Sequence, residues 1–82
     1  MKNKLALALK DAADRYLAWN TKAFSDDAKM ISVGERDHGD LMSIAGMIEN
    51  GEDSTRIARA MGRLDTAVRD VIPDDVFYAY NQ

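Results

Sequence analysis

The chain has no cysteine, one proline and one histidine in 82 residues, and its aromatic content is 7%. Without cysteine there is no disulfide, thiolate nucleophile, zinc finger or iron–sulfur ligation, and the sequence carries no mark of a redox compartment. A cytoplasmic site is therefore the expectation. No apolar run approaches the roughly 20 residues of a membrane span. The start, Met1-Lys2-Asn3-Lys4 followed by Leu5-Ala6-Leu7-Ala8-Leu9, imitates a signal peptide. Lys10 and Asp11 end it short of the roughly seven to fifteen apolar residues that such a segment needs, so neither a leader nor a membrane partner is expected. A chain this short reads as a single domain with a modest core, to which a partner or a second copy would add stability; a homodimer is one expected state.

Chemistry is equally sparse. Ser25, Ser32, Ser43 and Ser54 sit in no nucleophile motif, and there is no Gly-rich phosphate loop. His38 lies among Glu35, Asp37 and Asp40, but an EF-hand starting at Asp37 would meet Gly39, Leu41 and, at its twelfth position, Ile48 in ligand places. A solvated charged loop explains these residues better than a metal site. The adjacent acids Asp26-Asp27 and Asp74-Asp75 suit helix starts rather than acid–base catalysis. No enzyme, no catalytic or metal-binding residue and no cofactor are expected.

What is present is charge, unevenly placed, and helical periodicity. The net charge is -3. Residues 1–22 carry five Lys/Arg against two Asp, residues 23–53 carry two against eight acids, and residues 54–82 carry four Arg against four Asp. With an isoelectric point near 4.9, the acidic middle repels a phosphate backbone and attracts a basic protein surface.

The periodicity predicts an all-α fold: a small bundle in which a long N-terminal helix packs on a helical hairpin with a short C-terminal helix. Leu5, Leu9, Ala12, Tyr16, Trp19 and Ala23 form one stripe of the first helix, which has no helix breaker up to Val33 but two capping clusters, Asn20-Thr21 and Ser25-Asp26-Asp27. Leu7, Leu17 and Phe24 fall off that stripe and suggest a second contact surface. Residues 33–40, with two glycines, four charged residues and the histidine, read as a loop. Leu41, Ile44, Ala45 and Ile48 then share a face, Asn50-Gly51 is a stop, and Asp53 or Ser54 caps the next helix. Ile57, Ala60, Met61, Leu64, Val68, Val71 and Ile72 form the next apolar stripe, ended by Pro73. Val76, Phe77 and Tyr80 of the tail are expected to dock on the first helix.

Residues 54–72 resemble a helix-turn-helix of the homeodomain-like or sigma-factor type, with Ala58, Gly62 and Val68 in the places of its small, turn and packing residues. The resemblance implies a helix over about 55–61, and Thr66, Arg69 and Asp70 facing a DNA major groove, with Arg63 beside them. Leu64 stands where that family has a small polar residue, Pro73 shortens the recognition helix, and Asp70 has few base partners. One continuous helix through Gly62, at a cost of about 1 kcal/mol for the glycine, is the favoured reading of the same residues.

The functional expectation is a small acidic protein-binding module, an accessory or inhibitory protein of the kind bacteriophages direct at host machinery, an analogy of size and charge. It would meet a basic surface of a partner protein through Asp26, Asp27, Glu35, Asp37, Asp40, Glu49, Glu52 and Asp53. Met42, Met47 and Tyr78 are the candidate apolar contacts for a partner or a dimer. The alternative is a helix-turn-helix DNA-binding regulator, dimeric through its first helix; nucleic acid is a partner only in that case.

Overall fold

A computed structural model describes residues 2–81. Among them five helices and no strand occur: α1 (Lys2–Ala23), α2 (Ala28–Glu49), α3 (Ser54–Gly62), α4 (Thr66–Arg69) and α5 (Asp74–Tyr80). The fold is the all-α small bundle that the periodicity predicts, with the long N-terminal helix packed along a second helix.

Capping fixes the helix boundaries. The chain turns at residues 24–26, and the Asp27 carboxylate accepts from the Met30 N–H at 3.1 Å to start α2. At the other end, the Gly51 N–H donates to the Ile48 carbonyl and the Glu52 N–H to the Met47 carbonyl. This pattern needs a left-handed residue at Gly51, whose φ is 68°. Asp53 then caps α3 by accepting from the Thr55 N–H.

Residues 33–40 do not form the expected loop; they lie in the middle of α2. A heptad seam explains why. Positions 6, 9, 13, 16 and 20 of α1 alternate steps of three and four, as do 30, 34, 37, 41, 44 and 48 of α2. Steps of that kind keep two antiparallel helices in contact along their length. Gly34 belongs to this seam, lying directly against Asn20, while Glu35, Arg36, Gly39 and Asp40 are exposed. The burial of Gly34, Leu41, Ile44 and Ile48 offsets the low helix propensity of the glycines.

The seam also shifts the buried stripe of α1. Ala6, Leu9, Ala13 and Asn20 are buried, whereas Trp19 and Ala23, on the apolar stripe read from the sequence, are exposed. Leu5, Ala8 and Ala12 are half-buried.

Nor do residues 55–72 form one helix. α3 ends at Gly62, residues 63–65 turn, and α4 is a single turn. An unbroken 18-residue helix would run about 27 Å, carrying Val68 and Ile72 away from Ile57 and Met61. The break folds all four into one core with Leu64 and Val76. The Arg69 guanidinium completes the turn, donating to the carbonyls of Leu64 (3.1 Å) and Gly62 (3.4 Å) at the negative end of α3. α5 packs on α1, with Val76 buried and Phe77 and Tyr80 half-buried against the core.

Candidate functional site

Polar groups inside the α1–α2 seam are held by other polar groups. Asn20 is buried, and its amide donates to the Met30 carbonyl at 3.0 Å. One turn along α1, the Tyr16 hydroxyl donates to Asp37 at 2.9 Å. Asp37 is 6% exposed, so it is not part of an acidic surface, as its sequence neighbours suggested. Arg36 lies 3.8 Å from its other oxygen. Nearer the rim, His38 Nε2 meets Asp14 at 2.8 Å and Lys10 meets Glu49 at 2.8 Å. This row sets the register of the hairpin.

Burial, with the hydrogen bond to Asp37 and that carboxylate's charge, pushes the Tyr16 phenol from 10.0 up to about 12. The folded phenol therefore holds its proton more tightly than the unfolded one. Its contribution to stability is complete below pH 10 and is lost as the pH rises from 10 to about 12. Urea unfolding across that window should show this loss in the wild-type protein and a shallower one in Tyr16→Phe; identical slopes would disprove it.

The acids assigned to a partner surface have several fates. Glu49 pairs with Lys10 and Glu52 with Arg56, while Asp27 and Asp53 each cap a helix. Asp26, Glu35 and Asp40 are exposed and make no ion pair among the described residues. Glu35 and Asp40 stand about 140° apart around α2 at 100° per residue. The eight acids do not form one face.

Of the apolar candidates, Met42 and Met47 are half-buried against the core rather than free, and Tyr78 is 62% exposed, edge-on to Phe77. The structure exposes Trp19 (59%) and Leu7 (63%) as well. The Trp19 ring is braced by Tyr16, with centroids 6.2 Å apart, and by Phe24 at 6.1 Å in an edge-on arrangement. Beside it Ala12, Arg15, Tyr16, Val71 and Pro73 line a shallow groove of about 400 Å³. Trp19 escapes sequence reasoning because its spacing matches Leu5, Leu9 and Ala12. Its only warning signal is the competing heptad through Ala6 and Ala13.

Among the residues of the helix-turn-helix resemblance, Thr66 and Arg63 are exposed, but Arg69 is turned back onto the end of α3 and is not free to read a base. The break at Gly62 that the resemblance implies, against the favoured continuous helix, exists. Gly62 nevertheless has no positive φ, and a Cβ there would meet nothing within 4 Å, so the turn does not depend on it. The recognition position holds only the four residues of α4. Arg63, the residue just past α3, instead borders a hollow together with Arg56 and Arg59 of α3 and Met47 of α2.

Among the described residues no three His, Cys, Asp or Glu side chains are placed to share a metal ion, and no helix is long and apolar enough to cross a membrane. No protein family, curated protein or solved structure matches this chain.

Proposed function

We propose that this protein is a protein-binding module rather than an enzyme, an accessory or inhibitory factor that engages its partner with the turn end of the α1–α2 hairpin, where α1 runs into α2. The observation that carries this reading is Trp19. The apolar stripe of α1 is half-covered at Leu5, Ala8 and Ala12 and open at Trp19 and Ala23. Tyr16 and Phe24 hold the Trp19 ring in place, so little side-chain entropy remains to be lost when a partner covers it. A large, pre-positioned aromatic beside a shallow groove is the usual chemistry of an interface anchor. Asp26 and Asp27 follow Phe24 within and just after the same turn, and these two acids are exposed. They favour a basic rim on the partner and faster encounter at low salt.

The DNA-binding alternative draws support from the turn after Gly62 and from exposed Arg63. The inward-facing Arg69, the four-residue α4 and the net charge of -3 weigh against it.

The test is affinity capture from the source cell's lysate with wild-type, Trp19→Ala and Asp26→Lys proteins, with and without nuclease. We expect one stoichiometric protein partner that survives nuclease. Trp19→Ala should bind it at least tenfold more weakly while keeping the wild-type circular dichroism, since the ring is mostly exposed. Asp26→Lys should slow association and flatten its salt dependence. A partner retained at full affinity by Trp19→Ala, or recovery of DNA sharing one sequence, would overturn the reading.

A further inference from the structure

We propose that the protein has a second binding surface, the trough between α2 and α3, and that it takes an acidic amphipathic helix of a partner protein. Arg56 and Arg59 of α3 and Arg63, its C-cap, follow at i, i+3 and i+7, within an arc of about 60° when the helical screw is carried through the helical backbone of Arg63, and all three are exposed. Arg56 pairs with Glu52, but Arg59 and Arg63 make no ion pair among the described residues, in a chain with more acids than bases. Cations left unpaired side by side repel each other, and a carboxylate-bearing ligand relieves that repulsion.

The floor of the trough decides which anion fits. A hollow of about 330 Å³ lies between the three arginines, Met47 and Ala60. It shares Met47, Ala60 and Arg63 with a second hollow of about 230 Å³ that reaches Ile44, Leu64 and Asp40. The two adjoin along these shared residues, giving the trough an apolar floor at Met47, Ala60, Ile44 and Leu64, a cationic rim of arginines and the Asp40 carboxylate at one end. Methionine and alanine offer adaptable apolar contact, which suits leucine-like side chains and gives nothing to a sugar–phosphate backbone. Arginine binds carboxylates with two parallel hydrogen bonds. Asp40 would repel a polyanion laid along the trough but accept a lysine or a hydroxyl from a helix. An amphipathic helix carrying acids on its flank satisfies all three features at once.

The test is a nuclear magnetic resonance titration of the isotope-labelled full chain. The probe is a synthetic amphipathic helix with leucines at i, i+3, i+4 and i+7 and glutamates on its flanks. We expect amide shifts centred on Met47, Arg59, Ala60 and Arg63. Binding should be at least tenfold weaker in Arg59→Glu/Arg63→Glu, whose melting curve stays at wild type because both side chains are exposed. The same probe with lysines for glutamates should not bind. Trp19→Ala should bind the probe like wild type, so this surface and the hairpin end stand or fall separately. Three results would overturn the proposal: no shifts with the acidic probe; the same shifts at lower concentration of a DNA duplex, which would make the trough a nucleic-acid surface; or shifts in the trough on diluting the protein alone, which would make its occupant a second copy.

Discussion

Gly34→Ala will destabilise the fold by about 2–3 kcal/mol, against the usual gain from replacing a helical glycine. A Cβ at Gly34 would stand 2.0 Å from Nδ2 of Asn20 and 2.6 Å from its Cγ. The amide has no exit: Asn20 is 2% exposed and its Nδ2 is engaged by the Met30 carbonyl. Overpacking costs about 1–3 kcal/mol and a broken buried hydrogen bond about 1–3 kcal/mol. Alanine returns only about 1 kcal/mol of helix propensity. Urea denaturation should show a lower midpoint with an unchanged slope, and the melting temperature should fall by about 10–20 °C for a domain of this size. Asn20→Ala/Gly34→Ala should recover most of the loss. It removes the clash and the buried amide together, and the Met30 carbonyl remains inside a helix. A coupling energy of about 1–3 kcal/mol between the two sites is expected. A Gly34→Ala protein as stable as wild type would refute the close approach of α1 and α2 at this point.

The second large effect lies one turn along the seam. Tyr16→Phe will cost about 1–3 kcal/mol at neutral pH, because it removes the only hydrogen bond made to the buried Asp37 carboxylate by another side chain among the described residues, leaving it Arg36 at 3.8 Å. Adding Asp37→Leu to that variant should restore stability to wild type or above, since it replaces a buried charge by an apolar side chain at a seam position between Gly34 and Leu41. Asp37→Leu in the Tyr16 background leaves a half-buried hydroxyl without its acceptor and should recover less. Equilibrium unfolding of the four proteins checks the cycle. Equal stability of wild type and Tyr16→Phe would mean that the hydroxyl and carboxylate contribute nothing net.

Both predictions concern residues that local sequence reading assigns elsewhere. Gly34 and Asp37 look like loop residues, since glycine and charge together commonly mark one. In the structure each is explained by a residue 14 or 21 positions earlier, Asn20 and Tyr16. A pattern search along one segment does not see such a pairing. The same holds for Arg69, whose role depends on the carbonyls of Gly62 and Leu64 being brought within its reach. The candidate surfaces were the least legible part. The acidic residues were visible in the sequence, but which of them stay free depends on Lys10, Arg56 and Tyr16 from other elements.

What the sequence by itself determined is local: an all-α class, capping clusters that include Asp27 and Asp53, the stop at Asn50-Gly51, and the apolar identity of Leu41, Ile44, Ile48, Ile57, Met61 and Val76. Capping hydrogen bonds and apolar periodicity act within a few residues, so they can be read from neighbours alone. Tertiary structure decided which apolar and charged groups are covered. Trp19 is open because α2 packs on the Asn20 face of α1 and leaves the adjoining face of that turn uncovered, and Asp37 is buried because α1 places a hydroxyl against it. Coverage depends on the lengths and register of elements far apart in the chain, and no single segment encodes it.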